Sequence, residues 1–159
     1  MQKQFTTNSP AQTRALGKRL AAACRGGEVF LLSGDLGAGK TCLTQGLAAG
    51  LAIVEPVTSP TFVTHQEYRG ARGLTLEHFD FYRLRDGGDE FADFFNRPDC
   101  VCALEWAQML APILPPEHLS ITLEIVAPTR RRLTIETRTP SGEEFLARLG
   151  GSAEFRVES

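Results

Sequence analysis

Gly34-Asp35-Leu36-Gly37-Ala38-Gly39-Lys40-Thr41 lies between an apolar run at residues 29–32 and a helix-forming run at residues 42–47. This octapeptide matches the phosphate-binding P-loop, G-x-x-x-x-G-K-[ST], in the strand, loop and helix setting that the motif requires. Its glycines allow the backbone to curl with the N–H groups turned inward, and the following helix N-terminus favours an anion. Lys40 is expected to bind the β- and γ-phosphates, and the Thr41 hydroxyl to bind Mg²⁺. The loop residues predicted to contact a nucleoside triphosphate are Leu36, Gly37, Ala38, Gly39, Lys40, Thr41 and Cys42.

The alternative is a glycine-rich turn that carries a surface lysine. Glycine makes up about 7% of average proteins, so the four fixed positions match by chance in roughly one chain of this length in a few hundred. The flanking strand and helix make a chance match rarer still, which favours nucleotide binding. Lys40 is then expected to pack against nothing when no nucleotide is bound.

The composition is that of an ordinary globular protein. The 159 residues, of which 42% are hydrophobic and 23% charged, fit one domain at residues 1–150, with a frayed tail at residues 151–159. A net charge of −2 gives no overall basic field, so stable DNA binding is not expected. Residues 1–7 lack the apolar core of a secretion signal, and no run reaches the length of a membrane helix. We therefore expect a cytoplasmic protein without membrane contact.

Four cysteines, Cys24, Cys42, Cys100 and Cys102, show neither C-x-x-C spacing nor a Cys/His cluster. They are expected to be reduced, and mostly small core residues. The alternative, a zinc site or a redox pair, lacks the additional His or Cys ligands that it would need.

Hydrophobic periodicity predicts alternating helices and strands. A helix begins after the N-cap in Ser9-Pro10-Ala11-Gln12, and another opens at a capping box in Ser141-Gly142-Glu143-Glu144. The predicted fold is α/β, a P-loop NTPase-like three-layer sandwich with a mixed, largely parallel sheet that carries antiparallel strands. Helices are predicted at residues 10–24, 40–52, 90–95 and 141–149, and strands at residues 28–33, 63–68, 74–82, 101–104, 119–125 and 132–137.

Two acids end predicted strands. Glu105 follows a continuous apolar run typical of a central strand, where an ionised carboxylate needs a cation such as Mg²⁺ held jointly with Thr41. The alternative is that Glu105 pairs with an arginine or caps the next helix. Asp80 ends an alternating strand, and it is expected either to act on Mg²⁺ or the attacking water, or to cap the next turn.

Two further segments have open interpretations. The hydroxyl-rich loop Ser59-Pro60-Thr61-Phe62 is either a switch that orders with the γ-phosphate or an ordinary strand entry. The run Arg130-Arg131-Arg132 is either a solvated turn or the source of an arginine that stacks on adenine or holds a phosphate.

With the P-loop, the loop at residues 59–62, His78-Phe79-Asp80-Phe81-Tyr82-Arg83-Leu84 and Glu105-Trp106 all in order, the chain resembles the bacterial TsaE family, also called YjeE. The resemblance runs from the first helix to about Leu149. It implies an ATPase that uses ATP and Mg²⁺ and whose activity is weak without partners. The resemblance further implies that the protein works with TsaB and TsaD to threonylcarbamoylate N6 of the adenosine beside the anticodon. The modified tRNAs would be those that read codons beginning with adenine. TsaD performs the transfer, so contact with tRNA is expected only indirectly, through the complex.

The resemblance also implies roles for individual residues. Lys40, Asp80 and Glu105 would be catalytic, and Thr41 and Glu105 would bind the metal. Pro10 and Arg132 match nucleotide-contacting segments of the family by position alone.

The chain departs from the family at residues 86–91, where members carry a longer acidic pattern that contains leucine, and at Cys42, which replaces a second hydroxyl residue. Two other classes of function remain open from the sequence. One is a small-molecule kinase, which would need an acceptor site and an arginine-bearing lid. The other is a nucleotide-binding regulatory module without significant hydrolysis.

Overall fold

A computed structural model describes residues 1–58, 64–82, 84, 88–150 and 156–158. These residues form three α-helices, two 3-10 helices and eight strands. The strands are β1 (Gln2–Thr7), β2 (Val29–Ser33), β3 (His65–Arg69), β4 (Thr75–Asp80), β5 (Cys100–Glu105), β6 (Leu119–Ile125), β7 (Arg131–Glu136) and β8 (Arg156–Glu158). The α-helices are α1 (Pro10–Ala23), α2 (Lys40–Gly50) and α3 (Pro140–Leu149), and the 3-10 helices span Asp89–Phe94 and Ala107–Leu110.

All eight strands belong to one sheet in the order β3-β4-β5-β2-β6-β7-β1-β8. The four strands β4, β5, β2 and β6 are parallel, and the pairs outside them are antiparallel. This confirms the predicted α/β fold with a mixed sheet, and it confines the parallel pairing to the centre. The carboxyl ends of β2, β4 and β5 consequently meet at one edge, where parallel α/β sheets bind their ligands.

Apolar side chains pack on both faces of the sheet. All three α-helices contribute to the larger cluster on one face, which includes Leu16, Leu47 and Phe145. On the other face, Phe79 and Phe81 pack with phenylalanines of the 89–94 segment, so these aromatic residues are core contacts. The third layer of the sandwich is therefore thin, because 3-10 helices cover this side.

Helices α1 and α2 are in backbone contact through glycines. A Cβ atom on Gly46 would lie 2.0 Å from the carbonyl oxygen of Arg14, and one on Gly17 would lie 2.3 Å from the carbonyl oxygen of Leu43. Only glycine permits this approach, which fixes the helix that begins at the P-loop against its neighbour.

Three local features differ from the sequence expectations. Strand β1 was not predicted, and Arg156–Glu158 pairs with it within the tail that was expected to be frayed. The N-cap of α3 is Thr139, whose hydroxyl accepts from the N–H of Gly142, so the predicted cap at Ser141 is wrong. The Ser141 hydroxyl instead donates to Glu117.

Among the described residues, none of the helices is both long enough and apolar enough to cross a membrane.

Replacing Gly46 with alanine should destabilise the protein by about 1–3 kcal/mol, because the new methyl group overlaps the α1 backbone. In an unobstructed helix the same change stabilises by up to about 1 kcal/mol, so the sign of the effect is diagnostic. Thermal unfolding followed by circular dichroism measures it. A melting temperature equal to or above that of the wild type would contradict the observed helix contact.

Candidate nucleotide site

The P-loop lies between the end of β2 and the start of α2. Gly37 and Gly39 have φ angles of 82° and 109°, which residues with a Cβ rarely adopt. Gly39 is the N-cap of α2, and no side chain caps the first turn of this helix. The N–H groups of that turn have no intrahelical acceptor and are available to an anion. The loop therefore fits the phosphate groups that the motif predicts.

Lys40 already has partners in the absence of a ligand. Its Nζ donates to the carbonyl oxygen of Gly34 at 2.9 Å and lies 3.9 Å from Oε1 of Glu105. The ammonium group also lies 4.9 Å from the ring centre of Trp106, within the range of a cation–π contact. The expectation that Lys40 packs against nothing is therefore wrong, because it was based on the helix end alone and not on strand β5.

Glu105 is 3% exposed at the end of β5. Its Oε2 atom lies 2.7 Å from Nε2 of His78, which is fully buried on the neighbouring strand β4. The Nδ1 atom of His78 has no hydrogen-bond partner. A proton on that nitrogen would be a buried unsatisfied donor, which costs about 1–3 kcal/mol, so the geometry favours the tautomer that donates from Nε2 to Glu105.

Asp80 lies directly beside Glu105, since the parallel register pairs these two residues across β4 and β5. Its Oδ1 accepts the backbone N–H of Tyr82 at 3.0 Å, so it caps the turn after the strand as one interpretation expected. Burial raises the pKa of Asp80, and the negative charge of Glu105 raises it further, although the Tyr82 N–H and the Lys40 charge oppose the shift. Two carboxylates and one lysine therefore share this edge of the sheet.

Two aromatic residues at this edge were not assigned from the sequence. Trp106 has a φ of 57°, which is uncommon for a bulky residue, and the residue is 40% exposed. Tyr82 is 66% exposed, and its ring centre lies 4.9 Å from that of Trp106. Backbone strain of this kind is concentrated at functional sites. Sequence signals existed, because each residue follows one of the two acids by one or two positions.

The two arginines at the start of β7 have different partners. Arg131 donates to the carbonyl oxygen of Gly37 at 3.3 Å, whereas Arg132 lies 3.9 Å from Glu124 on an exposed part of the sheet. Neighbouring residues in a strand point to opposite faces, so only one of these two arginines can face the P-loop. In the described contacts that residue is Arg131. The nucleotide contact expected from Arg132 stays a prediction.

Other predicted residues have mixed outcomes. Pro10 begins α1, one turn before Thr13, and the Thr13 methyl group would lie 3.6 Å from a Cβ on Gly39, so this helix end adjoins the P-loop. Cys42 is half-buried, with its sulfur 3.8 Å from an Arg14 nitrogen. All four cysteines are free and the other three are buried, which confirms the expectation of reduced, mostly core residues. The loop at residues 59–62 lies outside the described residues.

The donor set at this edge fits Mg²⁺. In the described part of the chain, no three His, Cys, Asp or Glu side chains converge on a metal position. Mg²⁺ is commonly held by one or two carboxylates with phosphate oxygens and water, and does not need a cage of protein ligands. Thr41 and Glu105 would bind the ion here, with the phosphates supplying other ligands.

Comparison with known proteins identifies close relatives. The model of a family described as "Threonylcarbamoyl adenosine biosynthesis protein TsaE" matches residues 7–133, which include the P-loop and both acids. The tRNA threonylcarbamoyladenosine biosynthesis protein TsaE of Bacillus subtilis is 39% identical over 134 residues, 84% of each chain. That of Treponema pallidum is 38% identical over 136 residues, covering 81% of this chain and 96% of the relative. A crystal structure of Bacillus subtilis YdiB has a TM-score of 0.79 and 33% identity, covering 94% of both chains.

Replacing Asp80 with asparagine should stabilise the protein near neutral pH. The pKa of Asp80 in the folded protein is raised above the ordinary value of 3.8. Above that folded-state pKa, Asp80 is ionised and lowers the free energy of unfolding. Well below pH 3.8 it is protonated in both the folded and the unfolded state and has no such effect. The gain should be at most about 1 kcal/mol, or ~2–4 °C, because Asp80 is only half-buried and solvent screens its charge.

Melting temperatures of Asp80→Asn and wild type, compared between pH 3 and 7, test this expectation. The exposed Asp93→Asn provides the control and should show little change at either pH. The difference in melting temperature between Asp80→Asn and wild type should be more positive at pH 7 than at pH 3. A difference that is more negative at pH 7 would contradict the raised pKa of Asp80.

Proposed function

Because the chain belongs to the TsaE family, which acts in tRNA threonylcarbamoyladenosine biosynthesis, we propose that it is the ATP-binding and ATP-hydrolysing subunit of that pathway. It would work with TsaB- and TsaD-type proteins in the threonylcarbamoylation of N6 of the adenosine beside the anticodon. The affected tRNAs would be those that read codons beginning with adenine. The observation that carries this proposal is the convergence of Lys40, Asp80 and Glu105 beside an uncapped helix N-terminus.

In this proposal the loop backbone binds the phosphates of ATP. The N–H groups of the first turn of α2 replace water around the anion, and Lys40 adds a positive charge. A bound Mg²⁺ ion would neutralise negative charge on the phosphates. Thr41 and Glu105 are the residues that would bind it.

Asp80 is proposed to orient the water that attacks the γ-phosphate. Its carboxylate is half-buried, lies beside Glu105 and uses Oδ1 to accept the Tyr82 N–H, which orients the side chain. Its raised pKa also makes it a better proton acceptor than an ordinary aspartate. Trp106 and Tyr82 form an aromatic edge beside Lys40 that would reduce the access of bulk water.

In this proposal the ATPase activity of the protein alone is weak, and the partner proteins increase it. A P-loop ATPase whose acids already lie together needs only a small rearrangement to accelerate hydrolysis, and a partner protein can supply it. Contact with tRNA is then indirect, through the complex, which agrees with the net charge of −2. Cytoplasmic localisation follows from this role and is part of the same proposal.

Phosphate release with and without TsaB and TsaD tests the assignment. We expect slow release by the protein alone, at least about tenfold stimulation by both partners, and loss of release in Lys40→Ala. Lys18→Ala, an exposed lysine on α1, is the matched control and should behave as wild type. Release that partners do not change would favour a regulatory module, and transfer to a metabolite instead of water would favour a kinase.

The two acids should have separable effects. Glu105→Ala is expected to weaken the Mg²⁺ dependence of nucleotide binding and of hydrolysis together, because it removes a proposed metal ligand. Asp80→Ala is expected to reduce hydrolysis by about 100-fold or more with little change in binding.

Titration of Mg²⁺ at fixed nucleotide, followed by the fluorescence of Trp106, measures the binding half of this prediction. Trp106 is the sole tryptophan of the sequence, so the signal comes from the edge of the site. If Asp80→Ala lost the Mg²⁺ requirement while Glu105→Ala kept it, the two roles would be exchanged.

A further inference from the structure

The two carboxylate oxygens of Glu105 have different partners. Oε2 accepts from His78 at 2.7 Å, and Oε1 faces the Lys40 ammonium at 3.9 Å. These partners also differ in mobility. His78 is fully buried within β4, whereas Lys40 has a flexible four-carbon side chain at the boundary between loop and helix.

We propose that Lys40 neutralises Oε1 of Glu105 while the site lacks nucleotide and leaves it for the phosphates when nucleotide binds, so that Oε1 becomes available to Mg²⁺. His78 holds Oε2 in both states and is therefore a positioning residue for the metal-binding acid. This inference rests on the proposed function, since it takes Mg²⁺ and a nucleotide as the ligands of the site.

The burial of Glu105 is the first argument for such an exchange. A carboxylate that is 3% exposed is costly without a cation, and Lys40 is the ammonium group that lies beside it. Phosphates attract the same ammonium group, and its departure leaves Oε1 uncompensated. Binding of nucleotide should therefore strengthen binding of the metal. Binding of the metal should strengthen binding of nucleotide by the same coupling free energy.

The position of His78 is set by the backbone. Parallel pairing of β4 with β5 places His78 opposite Ala103 and Asp80 opposite Glu105. Since side chains two apart in a strand share a face, His78 lies on the same side of the sheet as Asp80. Hydrogen bonds that orient a metal-binding carboxylate are commonly worth 10–100-fold in metal affinity.

Three variants separate the two parts of the proposal. His78→Leu removes the donor to Oε2, and His78→Gln keeps an N–H donor of similar reach. Glu105→Gln keeps the size and shape of the side chain, but it replaces one carboxylate oxygen with an amide nitrogen and removes the charge that attracts Lys40. Calorimetric titration with a non-hydrolysable ATP analogue, with and without Mg²⁺, and electron paramagnetic resonance of Mn²⁺ provide readouts that do not depend on catalysis.

For His78→Leu we expect Mn²⁺ and Mg²⁺ affinity to fall by about 10–100-fold with metal-free nucleotide affinity unchanged, and for His78→Gln most of the metal affinity to return. For Glu105→Gln we expect metal-free nucleotide affinity to rise by about fivefold or more, because the carboxylate no longer competes with the phosphates for Lys40. The coupling between metal and nucleotide should weaken in this variant to the part that comes from direct contact of the phosphates with the metal.

Each contrary result has one meaning. A wild-type protein that binds no nucleotide overturns the proposed function and this inference with it. Normal metal affinity in His78→Leu overturns the positioning role, as does equal loss of metal and metal-free nucleotide binding in both His78 variants. If His78→Leu does not fold, His78→Gln decides by retaining or losing metal affinity. Unchanged metal-free affinity in Glu105→Gln overturns the exchange.

Discussion

A carboxylate buried at the end of the central strand is the constraint on which the site depends. Glu105 cannot be hydrated in that position, so the fold must supply a donor and a cation. The donor is His78 on the adjacent strand, and the cation is Lys40 at the start of α2. Each partner comes from a different element, and the site therefore forms only when β4, β5 and the P-loop helix are all in place.

The rest of the architecture keeps those three elements together. Parallel pairing of β2 with β5 brings the end of the P-loop strand beside Glu105, since Leu32 lies opposite it in the register. The glycine contact between α1 and α2 then fixes the direction in which α2 leaves the loop. Antiparallel strands outside the centre extend the sheet and supply Arg131, which contacts the loop from the far side.

The sequence predicted what depends on local chemistry. The P-loop, most helix and strand positions and the two acids follow from motifs and periodicity within a few residues of one another. Strand β1 was not predicted because it lies in a polar segment. Its buried residues are only Phe5 and Thr7, which give no clear alternation of apolar residues. The partners of Lys40 and the contact of Arg131 with Gly37 depend on register between distant strands, which no local pattern encodes.

Strand β4 carries a second acid, Glu77, whose environment differs from that of the acids at the P-loop edge. Glu77 is as buried as Glu105, but it lies on the opposite face, where it pairs with His65 at 2.5 Å and accepts from Thr75 at 2.9 Å. Burial raises its pKa, yet hydrogen bonds with His65, Glu67 and Thr75 outweigh burial and leave the pKa lowered. Glu77 therefore adds stability above its unfolded pKa, and that stability is lost as the pH falls through the folded pKa.

Asp80, three residues later on the same strand, has the opposite shift. Its one described hydrogen bond does not compensate burial beside Glu105, and its pKa is raised. Hydrogen bonds thus stabilise the ionised carboxylate of Glu77, whereas the carboxylate of Asp80 at the P-loop edge stays costly to ionise. Such a cost is expected where an acid binds a ligand or transfers a proton and does not stabilise the fold. A ligand that compensates the negative charge recovers, on binding, the free energy that the ionised acid costs the folded protein.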